Sequence, residues 1–219
     1  MKLNILFFFS ILFFLVACGQ SNRKVTDNNK SASDYAKQVN LSEDLAIATF
    51  AGGCFWCTEA SFDQLKGVKE VVSGYSGGKE NNPTYKQVSY GKTTHAEAIN
   101  IYYDPEIISY AKLLEVFFVA HDPTQLNRQG NDVGPQYRSA IYYRTPAEKE
   151  MVESAIKKLT DKKKFPKPIV TEVAAFTEFW DAEDYHQDYY KKNPNDRYML
   201  GVGVPKIKKV QKYFPQWIQ

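Results

Sequence analysis

The sequence predicts an α+β fold, a two-layer sandwich with a ferredoxin-like split βαβ core plus extra C-terminal helices. Segments with strand-like and helix-like hydrophobic spacing alternate in the order β, α, β, β, α, β, which is typical of the split βαβ unit, a sheet covered on one face by helices. The chain has 219 residues, of which 43% are hydrophobic. That length and composition are enough for one domain with a substantial core.

A glycine turn separates the first strand of this unit from its first helix. The strand is predicted over Leu45–Ala51, and the helix runs from Phe55 to Leu65, where Gly67 ends it. The unit is completed by strands over Val68–Tyr75, Ala98–Tyr103 and Ser139–Tyr143 and by a helix over Tyr110–Ala120 with Ser109 as its N-cap.

Further elements are predicted after the unit. A helix begins after Thr145, since Pro146 suits its first position and Glu148 completes a capping box. A strand is predicted over Ile169–Phe176 and a helix over Ala182–Lys192, which ends before a proline. In the C-terminal tail, we expect three aromatic side chains to pack on the core: Tyr213, Phe214 and Trp217.

The first 18 residues resemble the signal peptide of bacterial lipoproteins. Lys2 precedes an apolar block over residues 5–16, which is short for a membrane span, and the LVAC that ends at Cys18 resembles a lipobox. The resemblance implies that Cys18 carries a lipid. An ordinary cleaved signal peptide and a short uncleaved anchor are the alternatives.

We therefore expect three segments in the chain. Residues 1–18 form the signal peptide with its lipobox cysteine, residues 19–44 form a flexible tether, and residues 45–219 form the catalytic domain. The tether is polar, so it has too little apolar surface to offset the entropy of ordering its backbone. The protein would be exported and lipid-anchored to a membrane in the bacterial cell envelope.

Charge and histidine spacing argue against two classes of ligand. The formal net charge is +3, and the basic residues are dispersed except at Lys157, Lys158 and residues 162–164, so we expect no nucleic-acid partner. The three histidines and the cysteines do not follow the spacing of structural zinc sites, so we expect no metal.

The pentapeptide GCFWC at residues 53–57 carries most of the candidate chemistry. Cys54 stands at the start of the predicted helix, where unpaired N–H groups and the helix dipole favour a thiolate, so we expect it to be the nucleophile. Cys57 follows about one turn later and could close a disulfide with Cys54. If Cys18 carries a lipid, these two are the remaining thiols; a purely structural disulfide is the alternative.

Other polar and aromatic residues suit the same site. A carboxyl group at Glu97 could act as a general acid, and the Phe55–Trp56 pair could form an apolar pocket. The polar loop Asp122–Gln136, which contains Asp132, is too long for a simple connection and is expected to form a wall of the site. These residue types suit attack on an electrophile with an apolar substituent, but they do not identify it.

Seven motifs follow one another along the chain: GCFWC at 53–57, GYSGG at 74–78, PTY at 83–85, HAE at 95–97, YDP at 103–105, HDPTQLNRQGNDVG at 121–134 and QYRS at 136–139. Together they resemble the A-type peptide methionine sulfoxide reductases from about Thr49 to about Tyr190. No single motif would be sufficient.

The resemblance implies a role for each candidate residue. Cys54 attacks the sulfoxide sulfur, and Glu97 donates a proton to the sulfoxide oxygen. Phe55 and Trp56 hold the S-methyl group. Tyr85 and Tyr137 hydrogen-bond the sulfoxide oxygen, and Asp132 helps to organise the site and its water.

The resemblance also implies the overall reaction. The S epimer of methionine sulfoxide, free or in oxidised proteins, is reduced to methionine, and Cys54 becomes a sulfenic acid. Many relatives have glycine in place of Cys57 and use C-terminal resolving cysteines, but this tail has none, so Cys57 is expected to form the disulfide. A thioredoxin-like dithiol then supplies electrons, with no bound cofactor, and we expect a monomer.

Some assignments leave alternatives open. Thr94 and Pro135 replace residues common in relatives, glycine and threonine, beside the proposed site. His186 is expected either near the site or on a helix surface. Without the resemblance, Glu97 could be a solvated strand residue and Asp132 a turn former. A general thiol–disulfide oxidoreductase and a non-catalytic module that binds methionine-containing peptides are the competing functions.

Overall fold

The structure is a computed structural model that describes residues 44–219, so the predicted signal peptide, Cys18 and all but the last residue of the predicted tether lie outside the described residues. The described strands are β1 (Ala46–Gly52), β2 (Val68–Ser76), β3 (Ala96–Tyr103), β4 (Arg128–Gln129), β5 (Asp132–Val133), β6 (Ser139–Tyr143), β7 (Glu172–Ala175) and β8 (Phe179–Asp181). The α-helices are α1 (Phe55–Asp63), α2 (Tyr85–Ser89), α3 (Tyr110–Ala120), α4 (Pro146–Asp161), α5 (Tyr189–Lys192) and α6 (Val204–Tyr213).

Six strands form one curled sheet in the order β7-β6-β1-β3-β2-β8. The β6–β7 pair is parallel, and the other neighbours are antiparallel. The two short strands β4 and β5 pair separately as a hairpin. The chain therefore has a mixed α/β fold, in which the four strands predicted for the core unit occupy adjacent positions.

Both faces of the sheet are buried. The larger apolar cluster includes Phe50, Ile101 and the inner residues of α1 and α3. The other face carries a second cluster rich in small side chains, together with Tyr142 and Phe179. Both faces of the sheet therefore contribute to the core.

Several predicted elements agree closely with the structure. The predicted helix over Tyr110–Ala120 is α3, and the Ser109 side chain accepts the Lys112 N–H. Thr145 caps α4 by accepting the Glu148 N–H, but the Glu148 carboxylate accepts the Arg144 N–H and so completes no reciprocal capping box. In the tail, Phe214 is buried and Trp217 packs against the core, whereas Tyr213 is exposed, contrary to prediction.

The helix predicted over Ala182–Lys192 is wrong. Asp184–His186 is a single 3₁₀ turn, Asp188 has a left-handed φ of +53°, and only the last four residues form α5. The reason is a tertiary contact: the Gln187 side chain accepts the Ser73 N–H and donates to the Ser73 carbonyl, which holds this segment against β2. The patterns also missed α2, β8 and α6.

No helix among residues 44–219 combines the length and apolar character needed to cross a bilayer.

Glu59 joins α1 to the irregular segment before α5. Its Oε1 accepts the Asp188 N–H at 2.6 Å, and its side chain is buried. Burial, reinforced by the charge of Asp188, raises the pKa of Glu59 to about 8. A carboxyl group whose pKa is higher in the folded than in the unfolded state makes its full contribution to stability at pH values below the unfolded pKa. This contribution is lost as the pH rises through the folded pKa.

We expect Glu59→Gln to stabilise the protein at alkaline pH. Glutamine keeps an oxygen for the Asp188 N–H and cannot ionise, so its free energy of unfolding should exceed the wild-type value by roughly 2–4 kcal/mol at pH 9 and by much less at pH 5. Urea unfolding at several pH values measures the difference. Glu150→Gln, at an exposed position on α4, is the control, and a difference that does not change with pH would contradict the interpretation.

Candidate active site

A tight glycine turn carries the chain from β1 into α1. Gly53 has a φ of +91°, and a Cβ there would lie 2.6 Å from the Gln129 side chain. Glycine is therefore required both for the conformation and for the close approach of the 122–136 loop. The turn places Cys54 at the N-cap of α1.

One cavity of about 270 Å³ collects the residues that the sequence singled out. Among residues predicted to form the site, Cys57 and Cys18 are not in its lining: Cys57 is completely buried, and Cys18 lies outside the described residues. The cavity is lined by Cys54, Phe55, Trp56, Tyr85, Glu97, Asp132, Tyr137 and Tyr198.

Glu97 is a buried carboxyl group at the beginning of β3, not a solvated strand residue. Its Oε2 accepts the Phe55 N–H at 3.0 Å, and its side chain is only 2% exposed. Burial raises its pKa to about 8 against the opposing effect of this hydrogen bond, and the charge of Asp132 adds to the rise. Glu97 therefore holds a proton at neutral pH and can donate it into the cavity.

The two cysteines are reduced thiols in hydrogen-bond contact with each other. Burial raises the pKa of Cys54 well above its usual value, and Cys57 and Glu97 raise it further. The pKa of Cys57 is lowered, first by the hydrogen bond from Cys54. The helix-start argument for a Cys54 thiolate is thus outweighed by burial in the resting cavity.

The aromatic wall is held rigidly from the C-terminal part of the chain. Trp56 stacks on Tyr189 with ring centroids 3.7 Å apart and planes 5° from parallel, and its indole N–H donates to His186 Nδ1 at 2.9 Å. The Phe55 ring is fully buried and lies against Tyr85. An apolar substituent entering the cavity would meet two aromatic rings in fixed positions.

His186 is buried next to the aromatic wall, so the helix-surface interpretation is wrong. It is 1% exposed, and burial lowers its pKa to about 4, which keeps the imidazole neutral. Because Nδ1 accepts from Trp56, the proton of the neutral ring lies on Nε2. Across residues 44–219, no cluster of three His, Cys, Asp or Glu side chains is arranged to hold a metal ion.

The remaining polar groups of the cavity are three phenols and a carboxylate. Burial raises the pKa values of Tyr85 and Tyr137, so both hydroxyls stay protonated and can donate hydrogen bonds. The Tyr198 hydroxyl donates to Asp132 Oδ2 at 2.5 Å, and it is also a hydrogen-bond partner of the two thiols. Tyr198 therefore links the loop carboxylate to the dithiol.

Sequence reasoning missed three residues that shape this site. Tyr198 and Tyr189 contact the cavity or its wall, and Glu183 accepts hydrogen bonds from the Tyr75 hydroxyl and the Tyr85 N–H. The available signal was the density of aromatic and acidic residues between 183 and 198, which by itself cannot distinguish a site wall from surface packing.

The two departures from the family pattern do not line the cavity. Thr94 is exposed and hydrogen-bonds Lys79 and Glu80 in a neighbouring loop. Pro135 opens the 3₁₀ turn that carries Tyr137. Thr94 thus contacts a neighbouring loop and not the cavity, whereas Pro135 acts on the backbone that supports one of the phenols.

Comparison with known proteins gives one consistent result. The family described as "Peptide methionine sulfoxide reductase" matches residues 46–217. A protein of that name from Haloquadratum walsbyi is 53% identical over 169 residues, covering 77% of this chain and 96% of its own length. The corresponding protein from Sulfolobus acidocaldarius is 52% identical over 171 residues, with 78% and 96% coverage.

Solved structures agree with the sequence match. Mxr1 from Saccharomyces cerevisiae in its reduced form has a TM-score of 0.66 and 34% identity, covering 70% of this chain and 88% of that one. Methionine sulfoxide reductase A of Corynebacterium diphtheriae has a TM-score of 0.64 and 36% identity, with 71% and 78% coverage. The chain therefore belongs to the peptide methionine sulfoxide reductase family.

Proposed function

We propose that this enzyme reduces the S epimer of methionine sulfoxide, free or in oxidised proteins, to methionine, and so repairs oxidised proteins. The observation that carries the proposal is the cavity in which the buried, protonated Glu97 and the Cys54 thiol stand beside an aromatic wall. Family membership supports thiol-dependent reduction of methionine sulfoxide. The preference for the S epimer rests on the resemblance to the A-type enzymes.

The residues of the cavity suit the first chemical step. The methyl group of the substrate would leave water for the Phe55 and Trp56 rings, while its oxygen would meet Glu97 and the phenols of Tyr85 and Tyr137. Cys54 attacks the sulfoxide sulfur as Glu97 protonates the oxygen. In this step the oxygen passes from the sulfoxide to the Cys54 sulfur. The sulfoxide becomes the thioether of methionine, and the Cys54 thiol is oxidised to a sulfenic acid.

Cys57 is proposed to resolve the sulfenic acid. Cys57 lies one helical turn after Cys54 and belongs to the same small buried cluster, so a disulfide can form with little movement of the chain. Condensation of the sulfenic acid with the thiol releases water. A thioredoxin-like dithiol is the proposed donor that reduces the disulfide, so no bound cofactor is needed. We also propose that the enzyme acts as a monomer.

We also propose to class the four central strands as a ferredoxin-like unit. Their spatial order, β6-β1-β3-β2, and their antiparallel pairing support this description. In this arrangement β3 lies between two strands that are joined in sequence through α1.

A lipid anchor at Cys18 is proposed for the N-terminal segment, with export to the bacterial cell envelope. The support is the sequence pattern: a basic residue, an apolar block and LVAC, followed by a polar stretch up to the catalytic domain. We expect the full chain expressed in a bacterium to be labelled by radioactive palmitate and to fractionate with membranes, and Cys18→Ala to lose both properties. Palmitate labelling that persists in Cys18→Ala would contradict the proposal.

The proposed reaction predicts a fixed stoichiometry. When the reduced protein meets each epimer of a blocked methionine sulfoxide without a donor, we expect one methionine per chain from the S epimer, the loss of two thiols, and almost no methionine from the R epimer. Chromatography of the product and thiol titration measure both quantities. A protein that only exchanges disulfides, or only binds the substrate, would yield no methionine.

Cys57→Ser provides the matched variant for this experiment. It should still produce one methionine per chain but lose a single thiol, and sustained turnover with a thioredoxin-like donor should fail. Cys18→Ala controls for the removal of a cysteine elsewhere and should behave as the wild type. Full donor-driven turnover by Cys57→Ser would remove Cys57 from the proposed cycle.

The pH dependence of the first turnover tests the role of Glu97. The reactive form needs a Cys54 thiolate and a protonated Glu97, whose pKa is about 8 and lower than that of Cys54. Below about pH 8 the rate should rise about tenfold per pH unit with the thiolate fraction. Above it, the loss of the Glu97 proton offsets the further gain, so the rate should level off.

Glu97→Gln should be about 10²–10⁴ times slower, because a general acid is lost, and its rate should continue to rise above pH 8. Glutamine keeps an acceptor for the Phe55 N–H, so the fold should be preserved. Single-turnover assays from pH 6 to 10 measure both profiles, and Glu150→Gln is the control. If the pH profiles of the wild type and of Glu97→Gln have the same shape, Glu97 is not the general acid.

A further inference from the structure

Lys206, in the first turn of α6, has a buried ammonium group without a partner. Its Nζ atom is shielded from solvent and has no hydrogen-bond acceptor among the described residues. Nor does any carboxylate among residues 44–219 form an ion pair with it. Burying an unpaired charge costs free energy. A nearby group that gains negative charge during the reaction would offset this cost.

The position of Lys206 points to Cys57. Gly203 lies against the dithiol, since a Cβ added there would be 3.5 Å from Cys57 Sγ. Lys206 follows three residues later on the same side of the helical segment, and its charge acts to lower the pKa of Cys57. It likewise lowers the pKa of the buried, neutral His121, which cannot serve as a counter-ion.

We propose that Lys206 is a positioning residue whose ammonium group holds Cys57 as a thiolate while it resolves the Cys54 sulfenic acid. The inference rests on the proposed function and adds a residue to its second step. In that step the Cys57 sulfur attacks Cys54 Sγ, an S–S bond forms, and the S–O bond breaks. The oxygen leaves as water with the proton that Cys57 released, so no outside oxidant or reductant takes part.

Other charged or titratable groups face Cys57 and act in different directions. The Cys54 thiol donates a hydrogen bond that favours the Cys57 thiolate, and the charge of Asp132 disfavours it. The Tyr198 hydroxyl also lies near Cys57, but it donates its proton to Asp132. The Cys57 charge in turn raises the pKa of Glu97. When Cys54 becomes a sulfenic acid, its thiol hydrogen bond is lost, and Lys206 remains as the cation that supports the thiolate.

Removal of the charge should therefore slow resolution in a pH-dependent way. At a pH below the Cys57 pKa, a rise of that pKa by one unit reduces the thiolate fraction about tenfold. A more basic thiolate is about threefold more nucleophilic, so the net loss in rate there is about threefold. Above the Cys57 pKa the thiolate fraction no longer limits the rate, and the variant should equal or exceed the wild type. A defect of packing would not reverse with pH.

The experiment compares Lys206→Met, Lys206→Gln and Lys206→Arg in the full reduced chain, with the exposed Lys208→Met as control. Rapid quenching after addition of the S sulfoxide gives the rate of methionine formation and the rate of loss of the second thiol. We expect the ratio of the second rate to the first to fall about threefold in the Met and Gln variants at pH values below the Cys57 pKa and to recover above it. In the Arg variant the ratio should stay near wild type.

The possible failures are distinguishable. If the wild type forms no methionine, the proposed function fails. If the wild type forms methionine but the ratio is unchanged in Lys206→Met and Lys206→Gln, or is reduced equally at every pH, the proposal for Lys206 is overturned. An Arg variant as slow as the Met variant would also overturn it, because the retained charge should rescue resolution.

Discussion

The hydrogen bond from the Phe55 N–H to Glu97 joins the first turn of α1 to the beginning of β3. Backbone N–H groups at a helix start lack partners within the helix, and Glu97 supplies one from the sheet. Its own position is fixed because it pairs with Tyr75 in the β2–β3 register. The distance between the nucleophile and the acid is therefore set by the sheet and one helix turn, not by a loop.

Burial around this bond couples the charges of the site. A negative charge on Glu97 raises the pKa of Cys54, and one on Cys57 raises the pKa of Glu97. In a dry cavity such repulsions are stronger than in water, so the resting site favours few negative charges. A sulfoxide that takes a proton as it accepts the thiolate relieves this repulsion, which makes the arrangement specific for a reaction that uses both together.

The N-terminal two thirds of the domain were largely predictable from the sequence, because local sequence preferences there favour the same elements as the tertiary packing. The glycine pair before Cys54, the Ser109 cap and alternating apolar residues gave β1, α3 and β6 almost to the residue. The site residues were reached through motifs, and seven of them line one cavity. The segment from Ala182 onward was not predictable by the same rules, because its side chains satisfy distant backbone groups instead of a local helix. Gln187 accepts the N–H of Ser73 in β2, and Glu183 accepts the N–H of Tyr85 at the start of α2.

The segment from Ala182 onward also shields Cys54 and Cys57 from water. A π-helical turn over Met199–Gly203 widens the backbone just before α6, and Met199 and Gly203 both pack against the cysteines. A Cβ at Gly203 would lie 2.4 Å from the terminal methyl of Met199, so a larger residue there would displace the Met199 side chain from its present position. Burial is the largest cause of the raised Cys54 pKa. The reactivity of the GCFWC dithiol is thus determined by residues about 145–150 positions later in the chain as much as by the pentapeptide itself.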